Sequence, residues 1–423
     1  MSLPILLDAY IALAPVGGIW RRPKVSHSHR ALSFLKRQER PDPGSAVDLD
    51  TDASSTLPPL SFYCGHRSDS PPELPERYHC PLVYTPGYGV PRWPTSPDPA
   101  ENCDGLRRHT FPMDKFAAIA RHLATRYVDG VRSDARPLVR SRDDFYRPLP
   151  FGSVPIERWI GELHCGPSYL RPFLSGALSE TQVRTIGFRE MTSWPSLIRR
   201  TVSEVAGTVL AGRLALEYGI AANCAGGTHH ARRDRGAGYT ILNDLACAAN
   251  ELTRYSRSGV AEVLVVDLDV HQGDGTATFA GNLPNGRGTL RTLSVHCEEN
   301  WPFPKQAGGT YDVGLPAGTG DGEYLEAVRR AVDRAFQDGL PDLVFYDAGV
   351  DVYAKDGLGK LNVSEAGIRK RDRMVLEKCV SRGVPVAAVV GGGYDANVVA
   401  LGRRHAILHE EASRLWRENK MWE

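Results

Sequence analysis

The stretch VLVVDLDVHQGDG, residues 263–275, decides the fold of this 423-residue chain. It begins as a short apolar run rich in valine, which is typical of a strand buried on both faces of a parallel sheet. It then changes at once to carboxylates, an imidazole and glycines, which packing does not require. Because ligands of open α/β sheets bind at the carboxyl ends of parallel strands, the stretch predicts a buried strand with a functional site at its end.

The same arrangement of an apolar run followed by polar residues recurs along the chain, with amphipathic segments between the runs. The predicted strands are 220–225, 263–268, 290–296, 342–347 and 385–390, and the predicted helices are 199–218, 242–257, 321–338, 364–382 and 395–417. This alternation is typical of an α/β fold with an open, mostly parallel sheet flanked by helices on both faces. The polar clusters after the strands are therefore expected to converge at one edge of the sheet.

The spacing Asp267-x-Asp269-x-His271 suits a metal ion. Alternate residues of an extended segment point to one side, so these side chains can face a common point. Together with the distant Asp351, they offer the mixed nitrogen and oxygen ligands of a catalytic zinc site, which leaves one position open. An acid after a strand can also cap the next helix, and Asp274 taken alone favours that interpretation.

Two tandem histidines, His229 and His230, follow a glycine pair, and Tyr394 follows three glycines. Imidazole moves protons near neutral pH, provided that a partner holds each ring in place, and Asp267 and Asp274 are available for this. The glycines allow a tight turn, on which the Tyr394 hydroxyl could donate a hydrogen bond to a developing oxyanion. Taken alone, glycine followed by tyrosine is a common turn and carries little information.

Taken in order, these motifs resemble the histone deacetylase family, which has an arginase-type α/β fold. The resemblance covers roughly residues 80–415 and is carried by GGTHHA at 226–231, DLDVHQGDG at 267–275, AGVD at 348–351 and GGGY at 391–394. Within that family the chain is most similar to class IV and its bacterial relatives. This similarity rests on DRGAGY at 234–239, LGKL at 358–361 and SEAGI at 364–368.

The resemblance implies a zinc-dependent amidohydrolase with one Zn²⁺ per chain, held by Asp269, His271 and Asp351. The implied catalytic residues are His229, His230, Asp267, Asp274 and Tyr394. The implied substrate tunnel contains Gly238, Tyr239, Gly392 and Gly393. The resemblance also implies a structural K⁺ ion at Asp267, Asp269, His271, Ser294 and Val295.

The implied substrate is an acyl-lysine of a histone or another protein, with acetyl and long fatty acyl groups both open. One alternative is a deacetylase of small acylated amines such as acetylpolyamines, which would share every residue above. A ureohydrolase of the same fold would use two manganese ions and more acidic ligands. A non-catalytic scaffold would lack a ligand or the tyrosine. The Pro-rich entrance loops between Pro86 and Phe111 match nothing in the family, and this chain shows no counterpart of the acidic loop residue that clamps the substrate backbone in some classes.

Composition limits the remaining possibilities. The 51 basic and 50 acidic residues nearly cancel, which disfavours direct nucleic-acid binding, and no uninterrupted apolar run is long enough for a membrane span. The eight cysteines include no Cys-x-x-Cys pair, which fits a reducing compartment. Residues 1–78 are Pro-rich and predict a disordered extension or targeting segment before a catalytic domain at 79–423. We expect an intracellular protein of the nucleus, cytoplasm or an organelle, and the oligomeric state is left open.

Overall fold

The computed structural model describes residues 57–65, 79–94, 109–125, 127–128, 131–132, 137–140, 142–255 and 259–421. The strands are β1 Leu82–Val83, β2 Tyr127–Val128, β3 Val131–Arg132, β4 Ile220–Asn223, β5 Glu262–Asp267, β6 Gly281–Asn282, β7 Thr289–Cys297, β8 Tyr311–Leu315, β9 Leu343–Asp347 and β10 Val386–Val389. Among the described residues, a sheet of eight strands has the order β1-β4-β10-β9-β5-β7-β6, and β8 also pairs with β7. Its pairings are parallel except for that of β6 with β7, and β2 and β3 form a separate antiparallel pair.

The carboxyl ends of the central strands lie side by side. Val389 of β10 pairs with Asp347 of β9, Asp347 pairs with Asp267 of β5, and Asp267 pairs with Ser294 of β7. The four central residues of β5, 263–266, are fully buried, as a strand covered on both faces should be. The register therefore brings the ends of these strands to one edge of the sheet, where the sequence predicts a site.

The helices are α1 Lys115–Ala124, α2 Arg171–Leu174, α3 Glu180–Ile186, α4 Pro195–Tyr218, α5 Asp244–Leu252, α6 Asp274–Ala277, α7 Asp321–Gln337, α8 Glu365–Ser381 and α9 Val398–Glu418. They form two layers against the sheet, α4 with α5, and α1, α9, α8 and α7 in a row. The predicted fold class, an open and mostly parallel sheet flanked by helices, is confirmed. Among the described residues, none of these helices combines the length and the apolar character needed to cross a membrane.

Local sequence signals explain where the main helices begin and end. α4 starts with Pro195, whose missing N–H costs nothing in a first turn, and stops at Gly219, which has a positive φ of 87°. Side chains cap α5 and α8, because Asn243 accepts a hydrogen bond from the Ala246 N–H and Ser364 accepts one from the Gly367 N–H.

The predicted helices and strands occur at the expected places, with differences at their ends. The helix predicted at 242–257 ends at Leu252, where Thr253 closes its last turn, and the helix predicted at 199–218 begins earlier, at Pro195. The sequence did not predict β8, a short strand next to β7, or α1, which follows the Pro-rich entrance. Neither element shows the long periodic pattern on which the other assignments rest.

The predicted boundary at residue 79 is wrong in one respect. Residues 57–65 pack on the domain: Leu60 and Tyr63 are buried, the Tyr63 ring stacks on Trp159 at 5.8 Å, and the Gly65 N–H donates to the Arg147 carbonyl at 2.8 Å. Burying the Leu60 side chain stabilises the fold by roughly 1.5–3 kcal/mol. A short segment with few apolar residues can pack in this way because the folded domain already provides an apolar surface at Trp159. The rest of the predicted extension lies outside the described residues.

Candidate active site

Asp269, His271 and Asp351 come together at the edge of the sheet. Asp269 and His271 lie in the loop after β5, and Asp351 lies in the loop after β9. All three are buried, and their ligand atoms lie within 4.8 Å of one another. The Nδ1 atom of His271 is 3.0 Å from Oδ1 of Asp269 and 3.2 Å from Oδ2 of Asp351. The structure therefore brings together the residues that the sequence predicts as metal ligands.

Backbone groups hold the two carboxylates in place. The Gly392 N–H donates to Oδ2 of Asp269 at 2.7 Å, and the Val270 N–H donates to Oδ1 of Asp351 at 2.9 Å. Beneath them, the fully buried Arg371 donates to the carbonyls of residues 268, 348 and 349, so it ties the loop after β5 to the loop after β9. Sequence patterns gave no sign of this arginine, which lies within α8.

The chemistry of this group fits a zinc ion. Oδ2 of Asp351 is buried and makes no hydrogen bond among the described residues. Burial and the neighbouring Asp269 carboxylate raise the pKa of Asp351 to about 7, so the negative charge of Asp351 is poorly compensated by the surrounding side chains. A cation would supply that compensation, and two carboxylates with one imidazole form a set of three protein ligands suited to catalytic zinc.

Beside this group, two histidines each pair with a carboxylate. Nδ1 of His229 lies 2.7 Å from Oδ2 of Asp267, and Nδ1 of His230 lies 2.6 Å from Oδ1 of Asp274. The two Nε2 atoms are 3.0 Å apart. Asp274 also accepts a hydrogen bond from Arg232 at 2.6 Å, so its carboxylate serves the histidine and makes no cap for α6. The pairing that the resemblance implied is present.

The two histidines differ in their electrostatic surroundings. Burial and the neighbouring charge of His229 lower the pKa of His230 to about 4, so its ring is neutral at pH 7. Burial alone would lower the pKa of His229, but Asp267 and Asp269 hold it well above its ordinary value. The pair therefore offers one neutral base and one protonated ring, side by side.

Tyr394 lies across the cavity from the histidines. Its ring is 6.3 Å from the His271 ring and nearly perpendicular to it, and 6.0 Å from the Tyr239 ring. Burial and the nearby Asp269 and Asp351 raise its pKa well above the ordinary value, so the hydroxyl keeps its proton and can donate. A donating hydroxyl near a group of metal ligands is what oxyanion stabilisation requires.

The comparisons with known proteins agree with this geometry. The family model described as the histone deacetylase domain matches residues 159–409, which is more than half of the chain. The chain belongs to the histone deacetylase family. An uncharacterised protein of the cyanobacterium Picosynechococcus sp. is 40% identical over 334 residues, 78% of this chain and 98% of that one.

Other members of the histone deacetylase family match over a shorter region. Histone deacetylase 2 of Arabidopsis thaliana is 34% identical over 47% of this chain and 51% of its own, and the acetoin utilization protein AcuC of Bacillus subtilis is 34% identical over 41% and 46%. The alignments thus span about half the length of these named relatives. The crystal structure of an HDAC homolog complexed with SAHA has a TM-score of 0.58 at 20% identity, covering 79% of this chain and 84% of that one, and shows the same fold.

The structure places most of the predicted tunnel residues at the cavity. Gly238, Tyr239 and Gly392 line it, together with the histidines and Tyr394. Gly393 does not, because a side chain at that position would meet Val350 and Leu401 in the core. Of the three glycines of this turn, Gly391 and Gly392 line the cavity, whereas Gly393 faces the core.

Three residues at this site carried no role in the sequence prediction. Trp301 packs edge-on against His230, with ring centroids 4.6 Å apart, and adjoins Gly238. Lys115 is buried beneath the cavity and donates to the Gly391 carbonyl at 2.8 Å. Asp347 is fully buried 3.9 Å from Nδ1 of His229, and both of its oxygens lack hydrogen bonds among the described residues. Only Asp347 had a sequence signal, since it ends a predicted strand beside the metal motif.

A larger groove of about 410 Å³ lies between α7 and α8, away from these residues. Its Arg329, Arg373 and Lys378 side chains are all paired with acids. Because these surface charges already have partners, they do not indicate a ligand. We therefore place the chemistry in the smaller cavity at the strand ends, where buried carboxylate oxygens lack hydrogen-bond partners among the described residues.

Proposed function

We propose that this chain is a zinc-dependent deacylase, which hydrolyses the amide of an acyl-lysine in a histone or another protein to lysine and a carboxylate. One observation carries the proposal: His229, His230, Asp269 and Tyr394 line one narrow cavity, beside a buried Asp-His-Asp ligand set and with a carboxylate paired to each histidine. The membership of the family supports it. A zinc ion bound by Asp269, His271 and Asp351 would supply Lewis-acid activation of the acyl carbonyl and of water.

The proton transfers follow from the histidine environments. Neutral His230 takes a proton from the attacking water, and Asp274 accepts its Nδ1–H, which leaves Nε2 as the basic nitrogen. The water oxygen adds to the acyl carbon, the bond from carbon to the lysine nitrogen breaks, and His230 returns the proton to the leaving amine. His229, protonated beside Asp267, stabilises the negative charge of the reacting oxygens, and the Tyr394 hydroxyl donates to the acyl oxygen.

The inner end of the cavity favours a short acyl group. The whole cavity holds only about 30 Å³, while one water requires roughly 10–15 Å³, and its lining includes the charged side chains of Lys115, Arg200 and Glu204. Arg200 and Glu204 form a buried ion pair at 2.6 Å, which fixes the end wall. A long fatty chain would have to displace this pair and desolvate Lys115, so we propose acetyl or a similarly small group as the substrate acyl chain.

The register of β5 and β7 supports the structural K⁺ ion of the resemblance, which remains a proposal. Ser294 lies directly beside Asp267, and its hydroxyl accepts a hydrogen bond from the Gly273 N–H at 3.3 Å. Val295 follows on the same strand with its side chain buried. The intracellular location predicted from the sequence also stays a prediction.

Hydrolysis of a substrate panel by the zinc-loaded protein tests the function. We expect cleavage of acetyl-lysine peptides, at least tenfold slower cleavage of the matching myristoyl-lysine peptides, and little cleavage of acetylpolyamines. Asp342→Asn serves as a remote control, because this carboxylate accepts hydrogen bonds from residues 261 and 262 at the opposite edge of the sheet. If acetylpolyamines were the better substrates, the small-amine alternative would replace ours. If nothing in the panel were cleaved at a rate above that of Asp351→Ala, the enzymatic proposal would fail.

A further inference from the structure

The turn that carries Tyr394 is anchored by a carboxylate from another loop. Tyr394 lies between β10 and α9, outside any helix or strand. Its backbone N–H donates to Oδ2 of Asp356 at 2.8 Å. The other hydrogen bonds of this turn are made by the glycines before it, such as the one from the Gly392 N–H to Asp269. Asp356 is therefore the group that holds the backbone of the tyrosine itself.

The second oxygen of Asp356 organises its own loop. Oδ1 accepts hydrogen bonds from the Leu358 N–H at 2.9 Å and the Gly359 N–H at 3.2 Å. The loop packs closely between Asp351 and Tyr394. A side chain at Gly359 would collide with the Asp351 carbonyl, and one at Gly357 would lie 2.8 Å from the Tyr394 carbonyl. Asp356 is thus fixed with respect to both a metal ligand and the tyrosine.

The same loop is also hydrogen-bonded to Asn300, which lies in another part of the chain. The buried Asn300 side chain donates to the Leu358 carbonyl at 2.8 Å and accepts from the Lys360 N–H at 3.1 Å. Asn300 immediately precedes Trp301, which packs on His230. The loop that contains Asp356 is therefore held on one side by Asn300 and on the other by the tyrosine turn.

We propose that Asp356 is a positioning residue that sets the place of the Tyr394 hydroxyl relative to the metal ligands. It acts through Tyr394 and contacts no substrate, and the inference rests on the proposed function, in which that hydroxyl stabilises the oxyanion. A carboxylate suits this task because both of its oxygens only accept hydrogen bonds, and backbone N–H groups face both of them. An asparagine would turn an NH₂ group towards at least one of these N–H donors.

The test measures Asp356→Asn in two backgrounds, the parent enzyme and Tyr394→Phe. In the parent background we expect kcat to fall about tenfold and KM to change less than twofold, because a displacement of 1 Å can cost up to about 10²-fold in rate. In the Tyr394→Phe background the same substitution should lower kcat less than twofold, because the hydroxyl that it misplaces is already gone. Zinc content should stay at the parent level, and Asp342→Asn should be silent in both backgrounds.

A second variant, Gly357→Ala, keeps the inference testable if Asp356→Asn does not fold. Gly357→Ala pushes on the Tyr394 carbonyl from the same loop without removing any hydrogen bond, and it should show the same dependence on the tyrosine hydroxyl. Equal losses of kcat in the two backgrounds, or a loss of zinc, would overturn the inference, because Asp356 would then act through Asp351 or the fold. A Tyr394→Phe enzyme as active as the parent would instead refute the role of the tyrosine in the proposed function.

Discussion

Replacing Tyr394 by phenylalanine removes one oxygen and keeps the ring. None of the hydrogen bonds among the described residues involves this hydroxyl, and the ring contacts with Tyr239, Phe111 and Lys115 do not need it. We therefore expect the free energy of unfolding to change by less than about 0.5 kcal/mol, as for other substitutions that break no contact. Losing one oxyanion donor costs about 10²–10³-fold in kcat, or about 2.7–4 kcal/mol, with a much smaller effect on KM.

Tyr88→Phe is a matched control, because it also removes one buried tyrosine hydroxyl but is expected to lower stability. Tyr88 is buried, and its hydroxyl donates to Oδ1 of Asn223 at 2.9 Å. Tyr88→Phe should cost roughly 0.5–1.5 kcal/mol of stability, because Oδ1 of Asn223 loses one of its two hydrogen bonds, the other coming from the Ala225 N–H. Steady-state kinetics, zinc analysis and urea unfolding of both variants provide the comparison. A Tyr394→Phe enzyme with near-parent kcat, or one that is destabilised as much as Tyr88→Phe, would refute the assignment of this hydroxyl to the oxyanion.

The remaining predictions concern the metal, the base and the amino-terminal segment. Asp351→Ala should lose zinc and activity together, and full zinc occupancy by elemental analysis would contradict its role as a ligand. His230→Ala should keep zinc but lose roughly 10²–10⁴-fold in kcat, so near-parent turnover would remove it as the base. Deleting residues 1–56 should leave the melting temperature unchanged, whereas deleting 1–65 should lower it by several degrees because Trp159 loses the stacked Tyr63 ring. Equal melting temperatures for the two truncations would show that this contact adds no stability.

Much of the site was predictable from the sequence because its residues follow strands directly. A buried strand is recognised by its apolar run, and the side chains after it must lie at the carboxyl edge of the sheet whatever the rest of the chain does. Asp269, His271, Asp351 and the two histidines were found in this way. Their convergence needs only that the strands be parallel neighbours, a property that the alternation of strands and helices already predicts.

Other residues of the site could be located only in the folded chain. Lys115 meets the Gly391 carbonyl across 276 positions of the sequence, and Asp356 meets the Tyr394 N–H across 38. Neither pairing leaves a periodic pattern, because each depends on how a loop packs after the sheet and helices are in place. The direction of Gly393, which faces the core, depends on dihedral angles that a run of glycines leaves open.

The sequence by itself therefore determined the fold class, the edge at which the site lies and the chemical types of its ligands. Hydrophobic periodicity and residue type are local properties, so they can be recognised in the sequence without knowledge of the tertiary contacts. Only the tertiary structure decided which oxygens lack partners, which histidine stays neutral and how small the cavity at the strand ends is. Those properties depend on burial and on distances between segments remote in sequence, which packing alone sets.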